Sequence, residues 1–241
     1  MHSTFGSSKL VRLLDPWTPV ATETGSADIA ERLSGWFGPL EAIRLQALNQ
    51  SLSAAPESSR KQSAFSAQAL AEDVQRVRGA LAKAIAQDPL LAAGVRPDDP
   101  DRGYAPWHQR HLELQRQMAQ MVEAVRDHVR NVIARVSPRL HRLATLDAGM
   151  QDLLAAREES LLPGTAALLE RRYHQLKGAH RQACEALGQP DDPSHWLEAG
   201  GWLAHFANDW RQALLAEVDL RLEPVCGLVD AMRNESETPT T

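Results

Sequence analysis

Met118-Ala-Gln-Met-Val-Glu-Ala-Val-Arg-Asp-His-Val-Arg-Asn-Val-Ile-Ala-Arg-Val136 decides the fold class. Its apolar residues Met118, Val122, Val125, Val129, Val132 and Val136 are spaced 4-3-4-3-4. That is the rhythm of a helix burying one stripe against other helices, and no two-residue alternation competes with it. After Ser137-Pro138 the seam resumes through Leu140, Leu143, Leu146, Met150 and Leu153. A proline there lacks the amide a helix interior requires, so Pro138 predicts a kink or a fresh start.

Working outward towards the N-terminus, residues 94–103 form an acidic Pro/Gly linker, and before it Leu70, Val74, Val77, Leu81 and Ile85 mark a helix over about 66–87, closed by Asp88-Pro89. Two further helices are expected, one from Ser26 with Ile29, Leu33, Trp36 and Phe37, and one after Gly38-Pro39 with Leu40, Ile43, Ala47 and Leu48. The first 25 residues are mostly irregular around a short helix at about 8–14. Towards the C-terminus, Pro163-Gly164 predicts a break between a helix ending near Ser160 and another over about 165–186. Asp192-Pro193 reads as an N-cap with Pro at the first helical position, leading into a last helix that carries Leu203, Phe206, Trp210, Leu214, Val218 and Leu222. Pro224 and Gly227 predict a kink in it, and the final eight residues read as a disordered tail. The expected organisation is therefore an irregular segment at 1–25, a helical unit at 26–93, a long-helix bundle at 104–233 and a tail at 234–241. The fold class is all-α, an elongated helical bundle with a long, coiled-coil-like central helix.

Composition narrows the function classes. The 241 residues carry 43% apolar and 24% charged residues, with 31 acidic against 26 basic side chains and a net charge of −5, which disfavours general nucleic-acid binding. Charge is uneven along the chain. Residues 102–142 hold eight Arg against three acidic residues, whereas residues 191–237 hold ten acidic residues against three Arg. Pairing between these two stretches inside an antiparallel bundle is the expected use of that asymmetry; the alternatives are a charged face presented to another protein and, separately, a nucleic-acid surface on the Arg-rich helix. Cys184 and Cys226 are too few for a disulfide framework, which predicts a reducing compartment. Lys9, Arg12 and Asp15 interrupt the only apolar run near the N-terminus, and no apolar span of membrane-crossing length occurs, so a cytoplasmic location without direct membrane insertion is expected.

Familiar catalytic motifs are absent: there is no Walker loop, no Gly-x-Gly-x-x-Gly, no Gly-x-Ser-x-Gly and no Cys-x-x-Cys. His108-Gln-Arg-His111 with Glu113 places two imidazoles one helical turn apart, but Arg110 adds positive charge between them, and ordinary helix histidines are the better reading. Cys184 has His180 one turn before it, a pairing that a thiol nucleophile requires and that an Ala/Arg/His-rich helix also produces by chance. His174, His195 and His205 have no evident partner, and neither does His180 beyond Cys184. No catalytic, cofactor or metal site is assigned and no enzymatic activity is expected; the alternative is a metal- or thiol-dependent enzyme of an unfamiliar class that uses His108 and His111 or Cys184. The candidate interface residues are Trp107, which lies beside the linker, and Arg116, Arg126 and Arg130 on the long helix; Trp17 is a further loop-side aromatic, while Trp36, Trp202 and Trp210 read as core.

Several blocks, taken in order, resemble one family. They are Ser8-Lys-Leu-Val-Arg-Leu-Leu14, Ile29-Ala-Glu-Arg-Leu-Ser-Gly-Trp36, Tyr104-Ala-Pro-Trp-His-Gln-Arg-His111, Ser137-Pro-Arg-Leu-His-Arg-Leu143, Leu168-Leu-Glu-Arg-Arg-Tyr173 and Leu214-Leu-Ala-Glu-Val-Asp219. Together they resemble the uncharacterised proteobacterial domain-of-unknown-function 3348 family. The resemblance carries no activity. It implies a cytoplasmic accessory of an envelope or stator-like assembly, peripheral to the inner membrane through coiled-coil or OmpA-like envelope proteins as partners. Beside it stands the reading from the residues themselves: a non-catalytic helical interaction or scaffold component, with self-association possible because a heptad seam serves equally inside one chain or between two.

Overall fold

The computed structural model describes residues 8–17, 43–44, 46–47, 50, 66–92 and 103–237, with backbone alone at 92, 155–163 and 237. The helices bounded among the described residues are, in order, α1 (Lys9–Leu14), α2 (Ala67–Ala86), α3 (Pro89–Ala92), α4 (Ala105–Ile133), α5 (Pro138–Leu187) and α6 (Trp202–Glu237), with short 3-10 turns at Asp15–Trp17 and Pro193–His195. No strand occurs among the described residues, so the all-α class holds. The helices expected from Ser26 and after Gly38-Pro39, and the linker up to residue 102, lie outside the described residues, apart from Ile43, Arg44, Gln46, Ala47 and Gln50, which are helical and exposed.

The ends of the elements follow local chemistry. Ser8 caps α1 by accepting the Val11 amide at 3.2 Å. Between α2 and α3 the Asp88 carboxylate accepts the Leu90 amide at 3.0 Å, the role that the Asp-Pro pair suggests. After Ile133 the chain tightens into 3-10 bonds, from the Arg135 amide to the Val132 carbonyl and from the Val136 amide to the Ile133 carbonyl. Ser137 then accepts the Leu140 amide at 3.2 Å, and Pro138 opens α5 at the position where its missing N–H costs nothing. Pro138 is thus a restart, as its place after Ser137 predicts.

Three expectations are corrected. Pro163-Gly164 does not break the chain: α5 runs continuously from Pro138 to Leu187. Packing overrides the local penalty of proline, because buried Leu140 and Ala144 anchor the helix before it and buried Ala166, Leu169 and Tyr173 anchor it after. Asp192-Pro193 does not start the long helix. The Asp192 side chain caps only a 3-10 turn through the Ser194 amide at 2.9 Å, and α6 begins at Trp202. Gly200 at φ 91° and Gly201, whose Cα faces the carbonyls of His195 and Trp196 too closely to admit a Cβ, make that separation. The Trp196 carbonyl then accepts the amides of Leu203 and Ala204 at 3.0 Å each. Finally, α6 continues through exposed Pro224 to Glu237, over the first residues of the stretch read as a tail.

The chain divides into two compact units, each assembled from separated stretches. The first comprises Met1–Pro19, Arg76–Val122 and Leu162–Leu222. Its core includes Leu81, Ile85, Leu114, Met118, Leu169, Phe206, Trp210 and Leu214. Within it α4 and α6 run in the same direction, since Trp107 packs edge-on against Phe206 and Trp210 while Gln115 reaches Glu217 further along both helices. α5 runs the opposite way, with Arg172 at Asp209 and His180 beside Trp202.

The second unit comprises Val20–Gln75, Glu123–Leu161 and Glu223–Thr241. Leu70, Val74, Val125, Val129, Val132, Ile133, Leu140, Val225, Val229 and Met232 form its core. Of the heptad seam, Met118, Val122, Val125, Val129 and Val132 are buried and Val136 is half-buried, so a single chain suffices to cover the seam. Beyond Pro138 the stripe fades: Leu140 is buried, Leu143 is half-buried and Leu146 is 39% exposed.

Candidate functional site

Of the four candidate interface residues, three are engaged within the chain. Trp107 is buried, with ring centroids 5.1 Å from Phe206 and 5.2 Å from Trp210. Arg126 grips Asp147 with two bonds of 2.9 and 2.6 Å. Arg130 adds bonds of 2.6 Å to the Asp147 carboxylate, 3.2 Å to its carbonyl and 2.6 Å to the Gln151 side chain. Burial alone would raise the Asp147 pKa; the hydrogen bonds from Arg126 and Arg130 outweigh it and hold the carboxyl below its usual range. Arg116 is exposed, its Nε donating to the Leu112 carbonyl at 3.3 Å. Trp17 is half-buried under the Arg172 guanidinium, 5.7 Å from the ring centroid.

The charge asymmetry is resolved differently from the expected pairing of the Arg-rich and acidic stretches. Among the described residues such a pair is seen between Arg139 and Glu235 at 3.5 Å. Otherwise Asp219 meets Arg78 and Lys9, Asp209 meets Arg172, and Glu217 meets Arg221 on its own helix, while Arg110 bonds Asp88 at 2.6 Å. Each helix is paired by whichever neighbour its face meets, and net charge along the sequence does not record faces.

His108 and His111 occupy different environments. His108 is exposed and stacks on Tyr104, whereas His111 is fully buried and has no hydrogen-bond partner at either ring nitrogen. Burial lowers the His111 pKa from 6.5 to about 4, against the raising effect of nearby Glu217, with His108 and Arg221 lowering it further. Glu217 is itself buried, accepting from both Gln115 and Arg221.

Two surfaces carry functional potential. The first lies in the second unit, where Arg139, Leu140, Arg142, Leu143 and Leu146 of α5 face Ala231 and Asn234 of α6 across a groove of about 390 Å³. Its floor is leucine and its α5 edge is arginine. The second lies in the first unit, at the end of α5. His180 Nε2 is 2.9 Å from Asp191 Oδ1 and 3.5 Å from Cys184 Sγ, and Trp196 Nε1 donates to the same Asp191 oxygen at 2.6 Å. Burial would raise the Asp191 pKa, but the bonds from Trp196 and His180 and the charges of His180 and Lys177 hold it low. His180 therefore has a second partner that sequence spacing did not disclose, because Asp191 comes from the loop that turns back past Gly188 at φ 61°. Thiol and carboxylate face the same ring nitrogen. A nucleophile–base–carboxylate relay requires opposite nitrogens, so the three groups do not form one. Among the described residues, these are the His, Cys, Asp or Glu side chains that cluster as metal ligands could.

No described helix is long and apolar enough to cross a membrane. A family model described as "Protein of unknown function (DUF3348)" matches residues 1–234, and the chain belongs to that family. No curated protein and no solved structure matches it.

Proposed function

We propose that this family member is a non-catalytic helical interaction component, and that it receives an acidic amphipathic helix of a partner protein in the groove lined by Arg139, Arg142, Leu143 and Leu146. The observation that carries the reading is a groove floored by buried Leu140, half-buried Leu143 and exposed Leu146, with arginines at its edge. Leu146 is 39% exposed and the Arg139 side chain 83% exposed, although most other large apolar side chains of α4 and α6 are covered. A partner helix would bury the leucines for affinity and present carboxylates to Arg139 and Arg142 for register. The start of α5 adds the partial positive charge of a helix N-terminus. A cytoplasmic location and attachment to an envelope assembly through that partner belong to the same proposal and rest on the family resemblance.

The test is affinity capture with the tagged chain from host extracts, including detergent-solubilised membranes, alongside Arg142→Glu/Leu146→Glu. Both positions are exposed, so helicity should persist. A partner whose recovery falls about tenfold or more in the variant, and falls with added salt for the parent chain, supports the reading. Equal recovery by both chains, or the absence of any stoichiometric partner, overturns it.

A further inference from the structure

We infer that His180, Cys184 and Asp191 form a binding site for a borderline divalent transition ion of the zinc class. The three side chains offer one imidazole nitrogen, one sulfur and one carboxylate oxygen, all within 4.8 Å of one another. Tetrahedral zinc, with bonds of about 2.0–2.3 Å, separates such donors by about 3.4–3.6 Å. The sulfur–nitrogen distance is already 3.5 Å, and the nitrogen–oxygen distance of 2.9 Å needs to open by only about 0.5 Å. Rotation of exposed or half-buried side chains supplies that movement, since the His180 and Asp191 side chains are 28% and 38% exposed.

Hydrogen bonding accounts for the contact between His180 and Asp191 but does not use the thiol that approaches the same nitrogen. Nε2 of a neutral imidazole is either a donor or an acceptor, so it cannot accept from a thiol while donating to a carboxylate. A cation at the shared point satisfies all three groups together. The donor types also select the ion. Sulfur disfavours magnesium and calcium, and the mixed nitrogen, sulfur and oxygen set suits zinc or cobalt.

The surroundings supply what such a site needs beyond its ligands. The Trp196 indole N–H fixes Asp191 from behind at 2.6 Å, and Trp202 lies beside the His180 ring. His180 and Cys184 stand one turn apart on the last stretch of α5, a rigid pair to which Asp191 is brought by the loop. Three protein ligands leave the fourth position to solvent or to an added group. Lys177, whose charge also acts on Asp191, is the cation with which the ion must coexist. Metal binding would clip the α5–α6 loop to the end of α5.

Titration of the reduced, metal-stripped full chain with Co²⁺ reads the site directly. The expected result is one equivalent bound, with a near-ultraviolet sulfur-to-cobalt charge-transfer band and visible bands of four-coordinate intensity, both abolished by added Zn²⁺. Cys184→Ser should lose the charge-transfer band and Asp191→Asn should weaken binding at least about tenfold, while Cys226→Ser should bind as the parent does. Zn²⁺ should also raise the thermal midpoint of the parent chain and not that of Cys184→Ser. Absence of the band in the parent chain, or its survival in Cys184→Ser, overturns the inference.

Discussion

His111 concentrates the energetics of the first unit in one side chain. It is fully buried without a hydrogen bond at either nitrogen, and its pKa of about 4 keeps it neutral in the fold while the unfolded chain titrates near 6.5. Between those values the unfolded chain binds more protons than the native one, so stability rises with pH and is lost as pH falls from 6.5 towards 4. The shift corresponds to at most about 3 kcal/mol. His111→Leu removes both the proton and the unpaired nitrogens at similar volume. Urea unfolding at several pH values should show the parent chain weakening across that window and the variant weakening about 2–3 kcal/mol less. Equal slopes for the two chains would assign the acid sensitivity elsewhere. His108, three residues earlier, is the ordinary exposed histidine the sequence reading favoured, stacked on Tyr104, whereas the burial of His111 within the same turn was set by packing and not by spacing.

At the scale of the element, α4 is the helix that its sequence announces. Met118, Val122, Val125, Val129 and Val132 are buried in the order their spacing predicts, and Val129 is fully enclosed. Val129→Asp places a carboxylate at a fully buried position in the core of the second unit, and should cost at least about 4 kcal/mol in urea unfolding followed by circular dichroism. A variant with an unchanged midpoint would remove the seam from the core. The turn after α4 was equally legible, because Ser137-Pro138 carries its own cap and its own φ restriction. The continuous α5 was not. Proline and glycine at 163 and 164 argue locally for a break, and the buried residues on either side decide otherwise. α6 extends past Pro224, as a helix expected to kink there rather than end would, and the buried Val225, Leu228, Val229 and Met232 hold its far end.

At the scale of the molecule, the described seam residues are covered within one chain, and folding is expected to need no second copy. The thermal midpoint of the metal-stripped protein should therefore not move with protein concentration, whereas a seam shared between chains would raise it as concentration rises. Calorimetry over a wide concentration range separates the two. The distribution of ion pairs belongs to this scale too. Arg126 and Arg130 stood out in the sequence as surface arginines suited to a partner, yet Asp147 takes both because the short turn after α4 folds α5 back against that face. The Asp191 arm of the metal-like cluster was hidden for the same reason: its contact with His180 spans a loop, and loop geometry is set by what the flanking helices pack on. Periodicity and caps are local properties, so the sequence by itself determined the all-α class, the helix at 67–86, the central seam and the restart at Pro138. Which arginine meets which carboxylate, whether a proline interrupts a helix, and which side chains converge at the end of α5 are contacts between residues distant in the chain. Those depend on burial energies summed over many neighbours, and only the tertiary structure decided them.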